Sequence, residues 1–332
     1  MTPWPFFQAS PEAPDVGRSV KYKSILDAIG QTPLVEVPSL SPADNVRIWV
    51  KLEGQNPTGS VKDRVALALI EAGEASGELT RDRIVLEPTS GNTGVSLAMV
   101  CSIRGYRFTA VMPDNASAER VSLLRAFGAD IVYSEGAKGT NGSVALAQAM
   151  ARDEKYHMPF QYGNEANVTA HYNGTGREII DDLPEVKAFV AGLGTGGTLT
   201  GVGRRLKEHD PSIKIIAAEP QLGELVFGLR SLEDGYVPPI FDPDILDGKI
   251  MVKARESIAW TRELLTKEGI FAGISAGAVV WVAQRTAERL SSQGGGDVVC
   301  LLADAGWKYI STEAWTQDLD TAEERVEAVL WW

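Results

Sequence analysis

Short apolar runs alternate along this chain with stretches in which apolar residues recur every three to four positions. Runs at residues 48–52, 83–87, 108–112, 130–133, 188–191, 214–218 and 298–302 have the length and the β-branched and aromatic content of strands. Helical spacing marks the stretch from Lys62 onward and residues 93–103, 118–127, 143–153, 199–207, 258–268 and 276–290. Strand–helix alternation predicts mostly parallel sheets covered by helices on both faces, an α/β fold. The alternation comes in two series with a break near residues 159–172, which predicts two α/β domains with a cleft between them. Residues 1–18, rich in Pro and polar side chains, are expected to form a mobile arm.

Bulk properties narrow the function classes. The 332 residues, 44% hydrophobic and 23% charged, suit a globular protein of two domains. A net charge of −12 argues against a general nucleic-acid binder and against attraction to anionic membranes. It does not exclude an anionic ligand, because a nest of backbone amides binds phosphate whatever the global charge. No apolar run approaches the ~20 residues of a membrane span, and residues 1–7 lack the pattern of a secretory signal. Cys101 and Cys300 lie in apolar surroundings and read as inert buried thiols, and His157, His171 and His209 have no metal-ligand spacing. These features together predict a cytoplasmic protein.

Ligands of open parallel sheets bind beyond the carboxyl ends of the strands, and the glycine-rich segments fall there. Gly192-Leu193-Gly194-Thr195-Gly196-Gly197-Thr198 joins a strand to a helix and reads as a phosphate cradle. A ligand-free tight turn fits the same glycines. So does a dinucleotide site, with Glu219 at the end of the next strand as the ribose-binding acid. Glu87-Pro88-Thr89-Ser90-Gly91-Asn92-Thr93-Gly94 gathers hydroxyls and orphan amides at a second helix start, where a carboxylate would fit, although a capped helix explains part of the run. Ser275, in Gly273-Ile274-Ser275-Ala276-Gly277-Ala278, can cap its helix or set a neutral hydroxyl against a heteroaromatic nitrogen. Gln161, in the segment 161–167, can face the cleft. Lys62, in Asn56-Pro57-Thr58-Gly59-Ser60-Val61-Lys62-Asp63-Arg64, opens a helix, whose positive end lowers the pKa of a nearby amine. Such an amine can attack an aldehyde and form a Schiff base with a cofactor.

Taken in order, residues 30–35, 51–64, 89–94, 194–198 and 273–278 resemble the fold type II pyridoxal-phosphate enzymes, which share the tryptophan synthase β-chain fold. Within that family the chain is similar to the cysteine synthases (O-acetylserine or O-phosphoserine sulfhydrylases), over about residues 22–315. The resemblance implies two three-layer α/β/α domains with the pyridoxal 5'-phosphate cleft between them. Residues 19–50 and 161–315 would form the larger, 51–160 the smaller, and 316–332 a C-terminal tail. It implies an imine between Lys62 and the cofactor, with Asn92 on the ring oxygen and Ser275 on the pyridine nitrogen. Gly194, Thr195, Gly196, Gly197 and Thr198 would hold the phosphate. Thr89, Ser90, Gly91, Asn92, Thr93 and Gln161 would hold the amino-acid carboxylate. The implied reaction is β-replacement of an activated serine by a sulfur nucleophile through an aminoacrylate, in a homodimer.

The run 303–312 and the Trp331–Trp332 end are similar to a branch that prefers phosphoserine and takes sulfur from a small carrier protein. In that branch an apolar tail shields the cleft, a role Trp331 and Trp332 could fill, as they could a dimer contact. One departure stands out. Gln221 follows Ala218-Glu219-Pro220 where phosphoserine-type enzymes carry an Arg, and a glutamine cannot form a bidentate ion pair with a phosphate. Cystathionine synthase, serine/threonine dehydratase and 2,3-diaminopropionate-type synthase share the implied cofactor. A nicotinamide-dependent oxidoreductase leaves Lys62 without a task, and a non-catalytic relative would be expected to have lost it.

Overall fold

A computed structural model describes residues 21–329 apart from Ser90 and Ser117. The arm expected at 1–18, Ser90, Trp331 and Trp332 lie outside the described residues.

Among the described residues ten strands form two sheets: β1 (Leu34–Glu36), β2 (Val46–Leu52), β3 (Ile84–Pro88), β4 (Arg107–Pro113), β5 (Asp130–Ser134), β6 (Tyr156–His157), β7 (Ala188–Gly192), β8 (Lys214–Pro220), β9 (Gly248–Val252) and β10 (Gly296–Leu302). The larger sheet runs β1-β2-β10-β7-β8-β9 and the smaller β5-β4-β3-β6. All pairings are parallel except β1 with β2. The helices are α1 (Lys62–Ser76), α2 (Asn92–Arg104), α3 (Ala118–Ala126), α4 (Gly139–Met150), α5 (Glu165–Ala170), α6 (Gly176–Asp182), α7 (Gly197–His209), α8 (Ala254–Glu268), α9 (Ile274–Ser291) and α10 (Leu319–Val329).

Each sheet is buried on both faces, which is why its strands read as near-continuous apolar runs. On β10, Val298, Cys300 and Leu302 pack with Val279, Val282 and Ala283 of α9. Val299 and Leu301 point the other way, to Leu199, Val202 and Leu206 of α7. In the smaller sheet Val85, Phe108 and Met112 meet α1, α2 and α3, while Leu86 and Val111 meet Ala147 of α4. Both units are therefore α/β/α. Strand β2 belongs to the larger sheet through Leu52, past the boundary expected at residue 51. The two thiols are buried and free, and burial raises both, Cys101 to about 12.

A buried ionic cluster ties α1 to the larger sheet. Lys51 is fully enclosed on β2, and its Nζ lies 2.9 Å from Glu178 of α6. Arg64 of α1 pairs with Glu53 at 2.8 Å and Glu178 at 2.6 Å. Burial alone raises a carboxyl pKa, but the hydrogen bond and charge of Arg64, with Lys51, hold Glu178 down at about 2.

Candidate active site

The carboxyl ends of β2, β10 and β7 lie side by side, so the segments that follow them converge. The segment after β2 returns along the segment after β10. Val61 N–H donates to Ala303 O at 2.8 Å, and Ser60 bridges Asp304. Gly273 N–H, at the start of α9, also donates to Asp304 O, at 2.9 Å. Lys62 and Ser275 are thereby drawn to one cavity of about 620 Å³ between the two sheets.

Lys62 is the first residue of α1. Asp63, beside it, is buried and accepts from Thr58 N–H at 2.7 Å and from Ser96 Oγ at 2.6 Å, which fixes the entry turn and ties α1 to α2. The Lys62 amine is lowered below the usual lysine range, first by burial and then by the nearby Lys308 ammonium, while Asp304 opposes.

The glycine-rich turn after β7 lines the same cavity through Gly192, Gly194, Thr195, Gly196 and Thr198, with Gly197 buried in the turn. Gly196 has φ +83°, and a methyl group there would lie 2.5 Å from Phe241 Cβ. One on Gly197 would lie 2.1 Å from Asn167 Oδ1. The backbone thus approaches its supports more closely than any side chain permits. Asn167 Nδ2 donates to Thr195 Oγ1 at 3.1 Å and to Gln161 O at 2.9 Å. His171 stands behind Thr198, with Nε2 3.1 Å from Thr198 Oγ1 and Nδ1 3.1 Å from Thr175 Oγ1. Burial, then the charges of Lys62 and Arg64, push the His171 pKa well down, so its ring is neutral.

Ser275 is the second residue of α9, whose N-cap is Gly273, so the capping role is not the one it takes. Its hydroxyl lines the cavity and has no hydrogen-bond partner among the described residues. Asn92 opens α2 and is held at both ends of its amide. Nδ2 donates to Asp304 Oδ2 at 2.7 Å, and Oδ1 accepts from Lys308 Nζ at 2.7 Å. Tyr309 OH also donates to Asp304. Thr89, Gly91, Thr93 and Gln161 line the smaller-sheet side. Thr93 Oγ1 donates to Gln161 Oε1 at 2.7 Å, and Gln161 N–H to the buried Glu87 at 2.9 Å.

Two sequence readings change. Gln221 is exposed and outside the cavity lining, because only its backbone is engaged, donating to Val252 O at 2.9 Å as β8 ends. Glu219 is fully buried and accepts from Leu232 N–H and Ser231 Oγ, with Lys249 at 3.0 Å, so it is committed to protein partners rather than presented to a ribose. Asn167, His171, Asp304, Lys308 and Tyr309 were not picked out as site residues from sequence, because their place depends on contacts between distant segments.

A lysine amine of lowered pKa, an anion-accepting glycine turn and a serine hydroxyl around one cavity define an enzyme site suited to a phosphorylated aldehyde cofactor. The chain belongs to the family described as pyridoxal-phosphate dependent enzyme, whose profile matches residues 25–304. It is 40% identical over 302 residues to a probable cysteine synthase of Bacillus subtilis, covering 87% of this chain and 96% of that protein. It is also similar to the solved structure of an O-ureido-L-serine synthase, with 37% identity and a TM-score of 0.84 over 89% of this chain and 96% of that one. For a cysteine synthase of Entamoeba histolytica the values are 32% and 0.86, over 96% and 99% of the two chains.

The cofactor is pyridoxal phosphate, and the residues present fit it. The turn before α7 leaves no room for side chains but presents amides and two hydroxyls. The Ser275 hydroxyl is unspent, and the Lys62 amine is biased toward its reactive neutral form.

Proposed function

We propose that this chain is a cysteine synthase, replacing the β-substituent of an activated serine, O-acetylserine or O-phosphoserine, with sulfur. The observation that carries this reading is the meeting of Lys62, the Gly194–Thr198 turn and Ser275 at one cavity, in a chain 40% identical to a probable cysteine synthase. The cofactor supplies an electron sink for the bond-breaking at the amino acid's α-carbon. Lys62 carries it, then takes the α-proton on Nζ, a task suited to an amine whose pKa is already lowered. Gly194, Thr195, Gly196, Gly197 and Thr198 bind the phosphate, Asn92 the ring oxygen and Ser275 the ring nitrogen. Thr89, Gly91, Thr93 and Gln161, with Ser90, bind the substrate carboxylate. Gln221 plays no part in this scheme, being exposed. The smaller domain, up to about residue 160, closes one side of the cleft. The working form is a cytoplasmic homodimer, and the sulfur comes from sulfide or a small carrier protein.

Borohydride reduction of the purified yellow protein followed by peptide mass spectrometry tests the assignment. The cofactor's mass should appear on Lys62. A label on another amine, or no label, overturns the proposal. A matrix of acetylserine and phosphoserine against sulfide, thiosulfate and a carrier thiocarboxylate then fixes donor and nucleophile. The likeness to an O-ureido-L-serine synthase supports a second reading, in which the same chemistry serves a nitrogen or oxygen nucleophile. Hydroxyurea as acceptor tests it.

A further inference from the structure

One oxygen of the Asp304 carboxylate is buried without a donor. The residue lies just past the end of β10 and is 3% exposed. Its Oδ2 accepts two hydrogen bonds, from Asn92 Nδ2 at 2.7 Å and from Tyr309 OH. Its Oδ1 has no hydrogen-bond partner among the described residues. A methyl group on Gly273 would lie 2.0 Å from Oδ1, so the glycine leaves the space in which that oxygen stands. Burying a carboxylate oxygen unpaired costs free energy, and such a group in a native fold calls for a partner that arrives when the protein works.

The charged groups around Asp304 narrow the choice of partner. Among the described residues it is the one carboxylate lining the cavity, which Lys62 and Lys308 also line. Lys308 is engaged with Asn92 Oδ1 at 2.7 Å, and Tyr309 already donates to Oδ2. Arg120 of α3 lies over the Phe227 ring, 5.7 Å from its centre. The acids near the two lysines are committed elsewhere, Glu53 to Arg64 and Asp63 to Thr58 and Ser96. His171 is neutral. The Lys62 amine is the donor that remains. Ser60, two residues before it, bridges Asp304 and sets the carboxylate against the start of α1. Burial lowers the Lys62 amine, and of the neighbouring charges Asp304 acts most strongly, in the opposite direction.

We propose that Asp304 is a positioning residue whose open Oδ1 receives the Lys62 ammonium and keeps the α-proton there between the two halves of the reaction. This rests on the β-replacement reading above. Once substrate has freed the amine, the Cα–H bond breaks and an N–H bond forms at Nζ. The electron pair is drawn away through the cofactor's electron sink and expels the β-substituent, which leaves as an anion and takes no proton. The proton returns from Nζ to the α-carbon after sulfur has added at the β-carbon. Nζ is therefore a buried ammonium from one step to the next, and a buried charge without an opposite charge is costly. Asp304 supplies that charge, and Lys308 opposes it, so the proton can still be given back.

Asp304→Asn removes the open acceptor alone. An amide oxygen in the Oδ2 position still accepts from Asn92 and Tyr309, while the amide nitrogen takes the Oδ1 position and offers no lone pair. In the holoenzyme, with sulfide and whichever activated serine it turns over, kcat should fall roughly 10- to 100-fold with KM little changed, the worth of one charged hydrogen bond. The acid limb of kcat should move to lower pH by about one unit or more, because the ammonium without its carboxylate loses its proton more readily. A purely structural Asp304 predicts neither change, since the same bonds are kept. A plateau and limb like those of the wild type overturn the proposal, and so does a limb displaced to higher pH. The apoprotein decides separately. Trace acetylation across a pH series, read by peptide mass spectrometry, gives the Lys62 pKa without cofactor or turnover. It should be lower in Asp304→Asn by about one unit or more, and equal values in the two proteins overturn the pairing. If the wild-type protein makes cysteine from neither donor, the functional reading fails and the apoprotein titration still judges Asp304. Asp304→Ser, smaller and uncharged, should move both pH readouts in the same direction and covers a misfolded Asp304→Asn.

Discussion

The Lys308 ammonium donates to the Asn92 carbonyl oxygen at 2.7 Å, which turns the Asn92 amide nitrogen toward Asp304. That bond fixes which end of the amide is a donor in the cavity. It also keeps a positive charge close enough to Lys62 to lower its pKa. Removing the charge by Lys308→Gln should therefore raise the Lys62 pKa. The acid limb of kcat would move to higher pH, because the amine released when substrate binds must be neutral to take a proton. A pH–rate profile checks this, and a limb that stays in place or moves to lower pH would contradict the coupling.

Much of this architecture is legible in the chain because local pattern and tertiary role agree. The runs at 188–191 and 298–302 are strands buried on both faces, and the glycines after β7 sit where no side chain fits. The helix α10, Leu319–Val329, escaped within the stretch expected as a tail, and the strands that escaped are short or atypical. Strand β1 has three residues and β6 two, while β9, Gly248–Val252, carries a glycine and a lysine at an edge. The cluster of Lys51, Glu53, Arg64 and Glu178 escaped for another reason. Glu178 lies 114 residues beyond Arg64, and each member alone reads as a solvated charge. Asp304 gains its role only where the end of β10 meets the starts of α1, α2 and α9.

Gly196→Ala should weaken cofactor retention as well as stability. Its φ of +83° disfavours a Cβ, and the added carbon would sit 2.5 Å from Phe241 Cβ. Strain and overpacking each cost about 1–3 kcal/mol. The apo protein should melt several degrees lower, and cofactor should dissociate faster in dialysis. A Gly196→Ala protein with unchanged melting and cofactor affinity would show that the turn relaxes freely.

Two carboxyls set opposite pH dependences of stability. Glu178 has a folded pKa of about 2 against an ordinary value of 4.5, so its stabilisation is complete above 4.5 and fades as pH falls toward 2. Glu87 is the reverse. Burial, partly opposed by hydrogen bonds from Gln161 and Phe160 N–H, raises it to about 7. The folded state keeps this proton between 4.5 and 7 where the unfolded chain has lost it, so stability falls as pH rises through that window. Melting curves should show Glu178→Gln destabilised by a few kcal/mol at neutral pH, with the gap closing near pH 2. Glu87→Gln should flatten the fall between pH 5 and 7.

Ser275→Asp should change the outcome of the reaction rather than merely its rate. On the proposed placement of Ser275 at the ring nitrogen, a carboxylate there would favour the protonated, more electron-withdrawing ring, and racemisation or transamination would then compete with β-replacement. Chiral chromatography of products, with pyruvate assayed alongside, reads this out. Clean β-replacement by Ser275→Asp would show that the hydroxyl does not govern the partition.

The proton on His171 is fixed by a chain of three hydroxyl and ring groups. A neutral imidazole has one donor and one acceptor nitrogen. If the Thr198 hydroxyl gives its proton to a phosphate, it must accept from His171 Nε2, 3.1 Å away. Nδ1 is then the acceptor and takes the Thr175 hydroxyl proton, again at 3.1 Å. The holoenzyme should therefore hold His171 as the Nε2–H tautomer at neutral pH. Nitrogen-15 NMR of histidine-labelled protein distinguishes the two tautomers by ring shifts. A Nδ1–H ring would mean that Thr198 points its proton at His171 and meets the phosphate only as an acceptor, which would remove it from the cradle.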